Sequence, residues 1–291
     1  PGLYGRLLGW MLGIPVVHTF HGFQYKLLPT IQRWFYLFVE NVLTLLTKYH
    51  IFVGNGEKNK AKILMFLNDS NSSVVNNGID LDAIQALPLA EEVIASLDLG
   101  SRESIKIFGT LSRVSPEKGL DTLLEGFSEA IKTAPYIRLL IIGDCPDEHE
   151  KYINTVKQYI HTNGLNKVVK ILGPREDALE ILKSIDFYIS SSRSEGLPYN
   201  LLEALAVGKP LMATDIPGNN DIVRKSVEGI LVPVNLARTL AHGILTLLEL
   251  GPEERKAMQQ NGEARIRDQF SLSLMTQKTF SLYKKVLEGS S

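Results

Sequence analysis

From Ile105 to Val234 the chain alternates short aliphatic or β-branched runs with stretches of helical periodicity. The runs are Ile105–Leu111, Ile137–Ile142, Val168–Leu172, Phe187–Ser190, Leu211–Thr214 and Ile230–Val234. Between the first two, Leu120–Lys132 places Leu123, Leu124, Phe127 and Ile131 on one helical face. Strands that alternate with helices of this length pair in parallel, because each crossover must pack back onto the sheet. Both faces of such a sheet are covered, which is why its strands read as continuous apolar runs. The pattern predicts a doubly wound α/β domain over the C-terminal two-thirds.

That domain is of Rossmann type, and the earlier part of the chain reads differently. Pro15–Phe20, Ile51–Val53 and Ser73–Val75 read as strands, Thr30–Tyr49 as a helix, and Asn76-Asn77-Gly78 as a turn. About three strands are too few for a second complete α/β domain. The expected organisation is a partial N-terminal domain over 1–78, a connection over 79–103 and a ligand-binding domain over 104–270. A terminal helix, Leu272–Leu287, lies within 271–291 and can cross back to the first domain. The length of 291 residues agrees with two domains.

Composition excludes several classes. Lys+Arg is 31 and Asp+Glu 32, a net charge of −1, so no global field exists to hold nucleic acid. Hydrophobic residues at 44% and charged residues at 22% describe a globular chain rather than a disordered one. One cysteine, Cys145, permits no internal disulfide and points to a reducing compartment, the cytoplasm. His18 and His21 lack a Cys or acidic partner at zinc spacing, so no metal site is expected. The most hydrophobic stretch, Ile31–Val53, is broken by Arg33, Glu40 and Lys48, so no segment is expected to cross a membrane. Peripheral contact with the inner membrane surface stays open.

In open parallel sheets, ligands bind beyond the carboxyl ends of the strands. Unusual residues gather there. After the first strand of the larger domain, Gly109-Thr-Leu-Ser-Arg113 leads to Lys118 and Gly119 around a turn at Pro116. Two cations beside a helix start form an anion site suited to a diphosphate. The second and third strands end in Ile141-Ile-Gly143-Asp144 and Leu172-Gly173-Pro174-Arg175. The segment from Ser190 to Ala204 is the strongest. Pro198 fits the first helical position, and the N–H groups after it are free for an anion. Gly196 permits close approach, Glu195 precedes the helix, and Glu203 sits beside apolar Leu201, Leu202 and Leu205. A carboxylate in that setting needs a partner, such as ribose hydroxyls. His21, followed by Gly22, can point a donor or base into a cleft.

Together these segments resemble a retaining glycosyltransferase of family 4. The matching motifs are Val17–Gly22, Val75–Asp80, Ser112–Gly119, Ile141–Asp144, Leu172–Arg175, Ser194–Pro198 with Glu203-Ala204 (the E-x7-E pattern), and Gly208–Gly218. The resemblance implies the GT-B fold, two Rossmann-like α/β domains facing across a cleft, here with the N-terminal one incomplete. It implies a UDP- or GDP-linked sugar as donor, a glycan or lipid-linked acceptor, and no bound cofactor or metal. Arg113 and Lys118 would neutralise the diphosphate, with Gly109 in the same segment. The backbone around Arg175 would meet the base, and Glu203 the ribose. Glu195 and Gly196, Leu197 and Pro198 would hold the transferred sugar and phosphate, and His21 would reach the sugar. Retention would proceed by same-face attack, the departing phosphate taking the acceptor's proton. Ile216–Val223 looks like the bacterial polysaccharide branch.

Members of that family open with strands well before the segment matched by Pro1–Arg6. An incomplete beginning is therefore expected, leaving apolar surface uncovered at Val16, Val17, Ile51 and Val53. Two other readings stand beside transfer: a binding-only nucleotide-sugar module, and a GT-B epimerase. Donor turnover with acceptor separates the first, and product analysis the second.

Overall fold

The computed structural model describes residues 2–22 and 30–289. Pro1, which opens the Pro1–Arg6 match, and Ser290 and Ser291 of the terminal segment lie outside the described residues. The chain packs as two compact units. The first comprises Pro1–Gly78, Glu195–Leu197 and Gln269–Ser291; the second comprises Ile79–Ser194 and Pro198–Asp268. Residues 79–103, expected as a connection, pack within the second unit as the short helices Leu81–Ala86 and Glu91–Ser96 with their flanking turns.

The first unit is built on a parallel sheet of β1 (Val17–Phe20), β2 (Tyr49–Phe52) and β3 (Ser72–Val74), in that order. Helix Thr30–Leu45 ends short of the expected Tyr49 because Tyr49 pairs with Val17 in the ladder. Ile51 and Val53 are 2% and 1% exposed, so the expected uncovered surface is absent at those two positions. Ile51 packs with Tyr49, Val75 and Val286, the last from the terminal helix Leu272–Glu288. Apolar exposure lies elsewhere. Tyr4, Trp10 and Met11 of helix Gly2–Met11, and Ile31, Trp34, Phe35 and Phe38 of helix Thr30–Leu45, are exposed. No described helix is long and apolar enough to cross a membrane.

Arg6, Glu40 and His50 are among the polar residues buried inside this unit. Arg6 sits at 2% exposure and donates Nε to Gly2 O at 2.9 Å, while its two Nη atoms meet both oxygens of Glu40 at 2.9 and 3.1 Å. The pair joins helix Gly2–Met11 to helix Thr30–Leu45.

His50, on β2, is fully buried with neither ring nitrogen hydrogen-bonded. Burial, together with the neighbouring His18 and Arg6, lowers its pKa to about 4, against a small opposing pull from Glu40. His18 is held at about 4 as well, by burial and then by Arg6 and His21. Because the folded values lie below the unfolded value of 6.5, the unfolded chain binds protons first. Stability is therefore full above 6.5 and is lost as pH falls from there toward 4. Urea unfolding should show His50→Leu removing roughly 1–3 kcal/mol of this acid sensitivity. A pH dependence identical to the parent's would refute the assignment.

The second unit carries β4 (Lys106–Leu111), β5 (Ile137–Ile142), β6 (Val169–Gly173), β7 (Phe187–Ser190), β8 (Leu211–Thr214) and β9 (Ile230–Val232). The order β6-β5-β4-β7-β8-β9 is parallel throughout. Helix Leu120–Thr133 buries Leu123, Leu124 and Phe127 completely, each worth about 1.5–3 kcal/mol of apolar transfer. Helix Ala237–Glu249 packs against it, and Gly126 permits the approach, since a Cβ there would meet Ala237 O at 2.8 Å. The strand order reverses direction between β4 and β7. That switch point is where such a sheet opens a crevice.

Candidate functional site

Because all six strands of the larger sheet run parallel, their carboxyl ends share one edge. The chain leaves β4 through Ser112 and Arg113 and turns at Pro116–Lys118. Helix Leu120–Thr133 then starts behind Gly119, whose φ is +65°. Glycine is required there for a second reason, as a Cβ would lie 2.4 Å from Ser191 O. Gly143, at the end of β5, has φ +141° and would place a Cβ 2.0 Å from Ser112 O. The exits of β4, β5 and β7 are thus in backbone contact.

Arg193 fixes this arrangement. Its guanidinium donates to Pro116 O at 2.6 Å, Asp121 Oδ2 at 2.7 Å, Thr122 Oγ1 at 2.8 Å and Asn235 Oδ1 at 2.7 Å. Its own N–H donates to Glu117 O at 2.7 Å, and Ser191 Oγ donates to Lys118 O at 2.8 Å. Burial of Asp121 pushes its pKa up, but Arg193 and Tyr152 outweigh that and hold it below the ordinary value. The turn bearing Arg113 and Lys118 is therefore tied to the end of β7. Arg113 is exposed and contacts Glu117 at 3.3 Å.

Helix Tyr199–Ala206 begins after β7, with Pro198 in the flanking position at ψ 124° rather than as the first helical residue. Its N-terminus has no side-chain cap. Asn200 Nδ2 donates to Leu111 O at 2.6 Å and so ties this helix to the end of β4. Asn200 Oδ1 and Ser112 Oγ are buried with no partner among the described residues. Glu203 is half-buried, its carboxyl makes no hydrogen bond or ion pair to a described residue, and burial raises its pKa. Unpartnered polar atoms and a half-buried acid thus gather around a helix start whose backbone N–H groups have no side-chain cap.

The remaining expected residues fall elsewhere. Gly109 lies inside β4, where a Cβ would strike Ile185 Cδ1 at 2.5 Å, so strand–helix packing explains it. Arg175, past the end of β6, is exposed, and its guanidinium is held by Asp177 at 2.7 and 2.6 Å. Glu195, Gly196 and Leu197 pack with the first unit. There a Cβ on Gly196 would lie 2.3 Å from His21 O, and Leu197 O accepts from Asn77 Nδ2 at 2.8 Å. The Leu197 side chain is buried, and His21 is exposed. Arg193 and Asn200 were not among the expected site residues.

A family model described as glycosyl transferases group 1 matches residues 96–265. An α-1,3-galactosyltransferase of Escherichia coli, which acts from UDP-Gal on GlcNAc-diphosphoundecaprenol, is 27% identical over 97% of this chain and 72% of its own length. An alpha-monoglucosyldiacylglycerol synthase of Streptococcus pneumoniae is 28% identical over 79% of this chain, which spans 53% of it. HepE of Anabaena, solved with UDP and glucose, superposes with a TM-score of 0.86 at 22% identity, covering 97% of this chain and 75% of its own. Sucrose-phosphate synthase of Thermosynechococcus elongatus gives 0.83 at 19%, covering 98% and 72%. At these identities the superpositions show the fold, an α/β structure of GT-B type with parallel sheets.

Proposed function

We propose, because the chain belongs to the glycosyl transferases group 1 family, that this transferase moves a hexosyl group from a UDP- or GDP-linked sugar to a lipid-linked glycan. The observation that carries this reading is Glu203. A half-buried carboxyl with no partner among the described residues, about one turn along the helix from its uncapped N-terminus, matches a ribose diol beside a diphosphate. Arg113 and Lys118 neutralise the diphosphate without a metal ion, and the backbone around Arg175 faces the base. Pro198 and the N–H groups after it take a phosphate. Glu195, Gly196 and His21 act on the transferred sugar. Retention follows if the acceptor attacks from the face the phosphate leaves, with that phosphate taking its proton.

The galactosyltransferase is named for a lipid-linked acceptor, and the synthase for a glucosylated diacylglycerol. The exposed aromatic residues Trp34, Phe35 and Phe38 support a membrane-surface location for this chain. Cosedimentation with anionic vesicles, abolished in Trp34→Ser/Phe38→Ser, would support that location.

The donor test is direct. Release of UDP or GDP from a panel of nucleotide sugars, dependent on an undecaprenyl-diphosphate glycan, is the expected result. Nucleotide binding with no turnover under any donor would replace transfer with a binding-only function. Lys118→Ala should weaken UDP or GDP binding by ~1.5–3 kcal/mol, the range for charge-assisted contacts. Calorimetry checks this, and unchanged affinity would remove Lys118 from the diphosphate site.

A further inference from the structure

A cavity of about 910 Å³ opens in the second unit at the edge where the strands begin. Ile105 precedes β4, Asp186 precedes β7, and Lys209 and Pro210 precede β8; Leu89 to Gly100 closes the other side. At ~3.3 Å per residue, the length of β4 puts this cavity roughly 20 Å from Ser112 and Arg113, at the opposite edge of the sheet. Its size lies within the range of small-molecule sites, and Leu89, Ile94, Leu99 and Ile185 give it an apolar wall.

Of its three cations, Arg102 and Lys183 have direct partners. Arg102 donates to Asp186 Oδ2 at 2.5 Å and to Ser184 O at 3.2 Å, and Asp186 Oδ2 also accepts from Ile107 N–H at 2.8 Å. Lys183 Nζ donates to Gln85 O and Leu87 O at 2.6 and 2.5 Å. Glu91 and Glu92 are exposed and bond to none of these cations.

Lys209 is the exception. Gly208, at φ +70°, ends helix Tyr199–Ala206, and the Lys209 N–H returns to Ala204 O at 3.1 Å. This cap fixes where the side chain starts. The ammonium is half-buried and makes no hydrogen bond or ion pair to a described residue. Burial lowers its pKa to about 8; Asp186 opposes that, while Arg102 and Lys183 add to it. A half-buried cation with no directly bonded carboxylate is costly, and an anion in the cavity would relieve that cost.

We propose that this cavity binds a small organic anion, a carboxylate with an apolar body, with Lys209 as its counter-charge and independently of the nucleotide site. Octanoate is the probe, titrated into the full chain by calorimetry at neutral pH. The expected result is saturable one-to-one binding that saturating UDP leaves unchanged. Uncharged 1-octanol should bind at least ~10-fold more weakly, and Lys209→Met should lose at least ~10-fold in octanoate affinity, about 1.4 kcal/mol. In the parent, octanoate affinity should fall as pH rises through the Lys209 pKa; in the variant it should not. Lys209→Gln serves if the methionine variant fails to fold. Equal affinity for octanoate and octanol, equal affinity in parent and variant, displacement by UDP, or no saturable binding at millimolar octanoate would each overturn the proposal.

Discussion

Glu195→Gln should lower donor turnover by about 10²–10³-fold while leaving the affinity for UDP and GDP unchanged, as when one preorganised electrostatic contact is removed. The proposed role places the Glu195 carboxylate near the sugar, where positive charge develops as the bond to phosphate breaks. Glutamine keeps the shape and removes the charge, so the loss falls on the transition state rather than on the bound nucleotide. Glu203→Gln should fail in the opposite way. The Glu203 carboxyl has no other partner among the described residues, so its loss should weaken UDP, GDP and whole donor alike, by about 10-fold for a charge-assisted hydrogen bond. Calorimetry with both nucleotides, alongside initial-rate kinetics, decides between them. An equal loss of nucleotide affinity in both variants would end this division of labour.

The largest loss of stability is expected from Glu40→Ala. Arg6 is held on all three guanidinium nitrogens, by Gly2 O and by the two oxygens of Glu40, and is almost wholly removed from water. Removing the acid leaves a buried cation unpaired, a change that costs about 3–5 kcal/mol. Removing both charges differs in kind: Arg6→Met/Glu40→Leu should come close to parental stability, because the desolvation cost disappears with the pair. Urea unfolding of the two variants tests this. A Glu40→Ala loss below about 1 kcal/mol would mean that Arg6 finds water or another acceptor.

How far the sequence could be read follows from the range over which each signal acts. Phe187–Ser190, Leu211–Thr214 and Ile137–Ile142 are strands with the expected bounds, because a strand buried on both faces is apolar along most of its length. Helix Pro252–Gln269 was not anticipated. It buries only Met258, Gly262 and Ile266, one narrow stripe on an otherwise polar segment, too thin to register as periodicity. Glu40 was legible only as an interruption of an apolar stretch, since its partner stands 34 residues earlier. Arg193 was hidden for the same reason. It lay in a segment already singled out, but Pro116, Asp121 and Asn235 are 77, 72 and 42 residues away. Local chemistry marked the strand ends as the site. Only the assembled fold shows which side chain holds their loops together.

The terminal helix Leu272–Glu288 belongs to the first unit, and Val286 completes the cluster of Tyr49, Ile51 and Val75. On the ribosome this has a temporal consequence. At about 5–20 residues per second, roughly 10–40 s separate the emergence of Val75 from that of Val286. During that interval the second unit has all its strands and can close, while β2 waits for its cover. The nascent first unit is thus the part of this chain that stays open longest, and synthesis of Leu272–Glu288, rather than of its own strands, sets when it can finish folding.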